Sequence, residues 1–255
     1  MHFFTKQFFN FLAQVLDIFF PRFCVICNRP FTSDAFEHNY LCKRCFLVLP
    51  KPPERNVCLK CKDFLGQFLL TKPVCQQCKK YRHLFKRLIT PLYYKDEVEK
   101  LIWEFKFNKG FYLGRLFTQL LIGKIREEIP DFNHAINLVT FVPMSYSEKM
   151  KRGFNQSEFI AKIIGKGLKL KVYSVLRKTR PTRPQRELNF FHRQENVKDA
   201  FCVKKQYKNL IEGKNILLVD DIYTTGATLA ECCKVLKENK VKKIYLAVLA
   251  RNIRR

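Results

Sequence analysis

The chain has 255 residues, 47% of them hydrophobic, enough for one large or two small domains with a real core. Its 48 Lys and Arg against 22 Asp and Glu leave a formal net charge of +26, which suits a polyanionic partner such as nucleic acid or a membrane surface. Lys6, Gln7, Asn10, Gln14 and Asp17 interrupt the apolar first twenty residues, so neither a secretory leader nor a transmembrane span is expected there.

Residues 1–21 are predicted to form an amphipathic helix. Phe4, Phe8, Phe11, Leu12, Val15, Leu16 and Phe19 share one face, and Pro21 stops it. The expected role is packing on the protein's own core. Its polar face is not especially basic, which weakens the other reading, a membrane-surface or partner-binding helix.

Residues 22–82 hold four CxxC pairs: Cys24/Cys27, Cys42/Cys45, Cys58/Cys61 and Cys75/Cys78. In a reducing compartment paired cysteines mean metal rather than disulfides. Two such pairs complete a tetrahedral thiolate site, so two structural zinc ions are expected, with no open position for catalysis. Fourteen residues separate the first two pairs and thirteen the last two, which favours two successive zinc ribbons over a cross-brace and leaves both open. Cys202, Cys232 and Cys233 read as ordinary strand or helix residues.

Residues 88–255 alternate between helical and strand patterns. Helices are predicted over Asp96–Phe107, Tyr112–Glu127, Gln156–Gly167 and Ala227–Asn239. Strands are predicted over Asn137–Val142, Asn215–Val219 and Lys243–Ala250. This alternation gives the fold class: an α/β domain with a parallel sheet, carrying a small N-terminal cysteine module. Residues 177–199, with Pro181 and Pro184, are predicted to be one long loop.

The most informative stretch runs from Ile216 to Thr228. An apolar strand ends in Asp220 and Asp221, and Tyr223-Thr224-Thr225-Gly226-Ala227-Thr228 leads into a helix. Backbone N–H groups at a helix N-terminus attract anions, and Gly226 allows close backbone approach. The threonines add hydroxyl donors. The carboxylates suit ribose hydroxyls and a nearby divalent ion.

This run resembles the phosphoribosyl pyrophosphate (PRPP) motif of type I phosphoribosyltransferases. With the cysteine pairs, Leu16–Pro21, Ile102–Phe107, Val142-Pro143-Met144, Arg152–Gln156, Thr182–Gln185, Asn196–Phe201 and Leu249-Ala250-Arg251, nearly the whole chain resembles the ComF family. That family joins a double zinc ribbon to a phosphoribosyltransferase-like domain and acts in competence. Met144 stands where relatives often carry Leu, and Glu187–Arg193 match only loosely.

The resemblance implies that Lys151, Arg152 and Lys106 approach the diphosphate, with magnesium accompanying PRPP. Asp220 and Asp221 are implied as catalytic residues at the ribose. Arg177, Arg180, Arg183, Gln185 and Arg186 are implied to form a lid or a basic surface for nucleic acid. The expected role is natural transformation, with binding of single-stranded DNA and PRPP and contact with DNA-uptake or helicase machinery. The expected location is the cytoplasm, or the inner face of its membrane. An active phosphoribosyltransferase of unknown acceptor and a non-catalytic PRPP-binding regulator are the alternatives.

Overall fold

The computed structural model describes residues 23–30, 40–65, 74–81, 83–108, 110–182 and 190–252. The predicted helix over 1–21 and the candidates Arg183, Gln185 and Arg186 lie outside them. The chain divides into two compact units, Met1–Leu49 and Pro50–Arg255.

In the first unit a tight turn carries Cys24 and Cys27. The Cys24 N–H donates to Arg29 O, and the Asn28 N–H donates back to Cys24 O at 2.8 Å. Asn28 closes the turn at φ 53°, a left-handed conformation that Asn tolerates better than most residues. Helix α1 (Lys43–Leu47) starts at Cys42, whose Sγ accepts from the Cys45 N–H.

The second unit opens by repeating this device. The Cys58 N–H donates to Asp63 O and the Lys62 N–H to Cys58 O, with Lys62 at φ 57°. Phe23 bridges Pro30 in the first turn, and Val57 bridges Phe64 in the second. Helix α2 (Gln76–Lys80) follows Cys75 as α1 follows Cys42. The sequence repeat is therefore a structural repeat.

The chain continues through β1 (Arg87–Ile89), β2 (Leu92–Tyr93), α3 (Asp96–Phe107), α4 (Phe111–Glu128), α5 (Phe132–Ala135) and β3 (Leu138–Phe141). Then come α6 (Tyr146–Arg152), α7 (Gln156–Leu168), β4 (Leu176–Lys178), α8 (Phe190–Val197) and β5 (Phe201–Val203). A 3-10 turn (Lys205–Tyr207), α9 (Lys208–Ile211), β6 (Asn215–Tyr223), α10 (Ala227–Glu238) and β7 (Lys243–Arg251) complete it. The main sheet is parallel, in the order β1-β7-β6-β3, with β2 also paired to β7.

Ile216–Val219 of β6 are buried on both faces, which explains their unbroken apolar run. Ile216 and Leu218 share one core with Leu229, Cys233 and Leu236 of α10 and with Cys58, Cys61 and Cys78. By strand alternation Leu217 and Val219 point to the opposite face, where α4 and α7 pack. Burying one such side chain contributes about 1.5–3 kcal/mol. The second four-cysteine segment thus shares the core of the sheet.

Two connections diverge at β3 and β6. From β3 the chain passes through α7 to Val172, which bridges Val139 on the far edge of β3. From β6 it passes through α10 to β7 on the other side. Such a switch opens a crevice beyond the carboxyl ends of the strands. β3 stops at Phe141, opposite Val219, while β6 runs on to Tyr223, so Asp220 and Asp221 stand beside that opening.

The reading of 177–199 as one loop is corrected at both ends. Leu176–Lys178 pair antiparallel with Phe201–Val203, and α8 occupies 190–197. Three-residue strands are too short for alternation to stand out. Among the described residues no helix is long and apolar enough to cross a membrane.

Candidate functional site

The crevice is a cleft of about 810 Å³. Asp220, Asp221, Thr224, Gly226, Ala227 and Thr228 line it from β6 and the start of α10, Lys106 and Phe107 from α3, and Lys151 and Arg152 from α6. The structure therefore brings together the acidic pair, most of the threonine loop and the three implied cations. Tyr223 and Thr225 are buried beneath the loop instead, and they stand apart from the cleft lining. Arg177 donates to Cys202 Sγ and Arg180 to Lys198 O, both away from the lining.

The loop depends on Gly226. It holds φ +77°, and a Cβ there would lie 2.4 Å from the Tyr223 hydroxyl oxygen. α10 begins at this glycine without a side-chain N-cap, so the positive end of the helix faces the cleft. If the loop receives a phosphate, Gly226→Ala is expected to weaken that binding at least tenfold, because both the backbone angle and the Tyr223 contact must yield. Isothermal titration with PRPP checks this; unchanged affinity would free the loop from the role.

The two carboxylates are held differently. Asp221 Oδ2 lies 2.6 Å from Lys106 Nζ, and both side chains are largely buried. Asp220 Oδ1 accepts from the Ser157 hydroxyl at 2.8 Å and from the Asp221 N–H at 3.0 Å. Burial first, and the Asp221 charge second, push the Asp220 carboxyl up to about 7, against Ser157, the Asp221 N–H and Lys106. The folded protein thus keeps a proton that the unfolded chain releases near pH 4. Stability should fall as pH rises from about 4 to about 7. Denaturant titrations across this range should show that loss in the wild type relative to Asp220→Asn; parallel curves would contradict it.

The cationic wall is built by local rules. Ser145 caps α6, and its hydroxyl and backbone N–H form a capping box with Glu148. Burial raises the Glu148 carboxyl, but the Ser145 N–H and Lys178, 2.9 Å away, outweigh it and hold the group below its ordinary range. Gly153 ends α6 at φ +79°. Asn155 then caps α7, accepting from the Ser157 and Glu158 N–H groups and donating to Val142 O. The sequence resemblance included Asn155 and Gln156, while Ser157, Glu148 and Lys178 were missed. The Ser145-x-x-Glu148 signature was the available signal for the start of α6.

The two four-cysteine groups are Cys24, Cys27, Cys42 and Cys45, and Cys58, Cys61, Cys75 and Cys78, so the pairs associate successively. Within each group the Sγ atoms all lie within 4.8 Å of one another. Tetrahedral zinc with bonds of about 2.3 Å sets neighbouring sulfurs about 3.8 Å apart. Cys27–Cys42 at 3.8 Å and Cys61–Cys75 at 3.7 Å match that edge. Both groups could hold zinc. Arg251, fully buried, donates to Cys61 O and pairs with Asp63 at 3.0 Å, and its guanidinium lies 5.8 Å from the Tyr223 ring centroid. It links the second cysteine turn to the residue beneath the loop.

A model of the phosphoribosyl transferase domain matches residues 150–255. Competence protein F of Haemophilus influenzae is 28% identical over 237 residues, covering 91% of this chain and 98% of that protein. Competence protein ComFC of Bacillus subtilis is 26% identical over 237 residues, covering 84% and 88%. This chain is a homologue of the competence proteins F and ComFC over most of its length. DNA utilization protein YhgH of Escherichia coli K12 is a further relative, 24% identical over 241 residues and covering 91% and 98%. In this ComF-like chain the matched phosphoribosyl transferase segment includes Lys151, Arg152, Asp220, Asp221 and the loop. Lys106 precedes it in sequence, yet reaches the same cleft through its ion pair with Asp221.

Proposed function

We propose that this protein handles single-stranded DNA in natural transformation and binds a 5-phosphoribosyl ligand, PRPP, in the cleft. The observation that supports the ligand is the convergence of two carboxylates, a helix N-terminus that starts at a glycine and Lys151 and Arg152 on one cavity. Asp220 and Asp221 would accept hydrogen bonds from the ribose hydroxyls. The Thr224–Thr228 loop would receive the 5-phosphate, and Lys151 and Arg152 the diphosphate. Magnesium would neutralise diphosphate charge when bound. The charge of +26 and the names of the relatives support the DNA role.

The intact acidic pair favours a second reading, phosphoribosyl transfer. An acceptor's lone pair would form a bond to the anomeric carbon while the bond to the pyrophosphate oxygen breaks. The Asp220 and Asp221 charges would favour the cationic sugar, and Lys151 and Arg152 the leaving pyrophosphate. A regulator that binds PRPP without turnover would need the same contacts.

Calorimetric titration of the zinc-loaded protein with magnesium PRPP tests the cleft. Heat of binding that vanishes in Asp220→Ala/Asp221→Ala is the expected result. Absence of binding by the wild type would refute the ligand. Retardation of a single-stranded oligonucleotide that weakens steeply with salt is expected for the DNA role; no retardation at low salt would refute it.

A further inference from the structure

We propose that the rim of the cleft, formed by α3 and α6, is a stacking ledge for unpaired bases of single-stranded DNA. A bound strand would then cross the mouth of the ribosyl-phosphate site. The inference rests on the DNA half of the proposed function and assigns its place.

Glu99, Trp103, Lys106 and Phe107 follow one another at helical spacing along α3, and residues three and four apart share a helix face. Glu99, Lys106 and Phe107 line the cleft, which sets Trp103 at its edge. The Trp103 and Phe107 ring centroids are 5.4 Å apart, yet these large rings remain 42% and 45% exposed. The Arg152 guanidinium lies 5.1 Å from the Phe107 ring centroid and also lines the cleft. On α6, Ser147 and Lys151 line the cleft, while Tyr146 and Met150, also four apart, are 80% and 67% exposed. Lys149 lies between them in sequence.

Isolated exposed apolar residues need no explanation, but here they recur on two helices of one rim, interleaved with cations. Single-strand sites combine those two ingredients: aromatic faces for bases and positive charge for the phosphates between them. Lys151 and Arg152 stand beside these rings at the cleft, where their charge meets the phosphates of a strand. Charge complementarity therefore selects the strand as occupant.

Trp103 is the sole tryptophan of the chain, so its fluorescence reports the ledge directly. Titration of the full chain with a fluorescein-labelled oligothymidylate gives binding by anisotropy, and an unlabelled strand gives Trp103 emission. The expected result is quenching with the same midpoint as binding, and a loss of affinity of about five- to hundredfold in Phe107→Leu. Binding without quenching would overturn the ledge and leave the DNA role standing. No binding would overturn both. Equal quenching by free thymidine monophosphate at matched base concentration would overturn the strand in favour of a nucleotide subsite. A blue shift with phosphatidylglycerol vesicles, absent with the strand, would overturn it in favour of a lipid surface.

Discussion

Asp221→Asn is expected to abolish the proposed PRPP binding and to destabilise the fold, whereas Asp220→Asn is expected to lose that binding without the destabilisation. The asymmetry follows from the partners. Asp221 neutralises Lys106 at 2.6 Å, so its removal leaves an ammonium group largely buried beside a neutral amide. Breaking a fully buried pair costs about 3–5 kcal/mol; at a cleft wall, where water reaches the survivor, about 2 kcal/mol is expected. Asp220 carries a charge that burial opposes, and Asn can still accept from the Ser157 hydroxyl. Adding Lys106→Met to Asp221→Asn should return most of the stability and none of the binding. Urea denaturation and calorimetry on the four proteins decide it. Equal stability of the two single variants would show that Lys106 does not need its partner.

Arg251→Met is expected to cost about 3–5 kcal/mol, because Asp63 would stay buried without its counter-charge and Cys61 O would lose its donor. The loss should fall on the second four-cysteine group. With zinc bound, a chelator should strip one ion from the variant much faster than from the wild type, while the other ion leaves at its former rate. Adding Asp63→Asn should recover part of the stability. Identical release of both ions in variant and wild type would separate Arg251 from the metal turn.

Elements with a strong period and a buried stripe were legible in the sequence. Asp96–Phe107 was readable to the residue, and α4, α7, α10 and the two long strands to within a few positions. α6 was not, because none of its residues is buried and an apolar period never develops. β1 and β2 were missed because Thr90 and Pro91 break one edge into two fragments, although both pair with β7. The acidic pair and the loop were legible because they are contiguous. The Ser157 hydroxyl on Asp220 was not, since the two lie 63 positions apart. The shared core of the second cysteine segment was equally hidden. CxxC spacing announces a metal and says nothing of what packs behind it.

β7 is the last strand in sequence order, yet it lies between β1 and β6 and also pairs with β2. Its final residue, Arg251, reaches Cys61 across 190 positions. During synthesis β6 can pair with β3, but the β1 segment has no partner in the sheet until β7 has emerged, and the second cysteine turn waits for its guanidinium clamp. The sheet is thus joined across its middle only when β7 is available. Such long-range closure slows folding and leaves apolar strands exposed to passing chaperones in the interval.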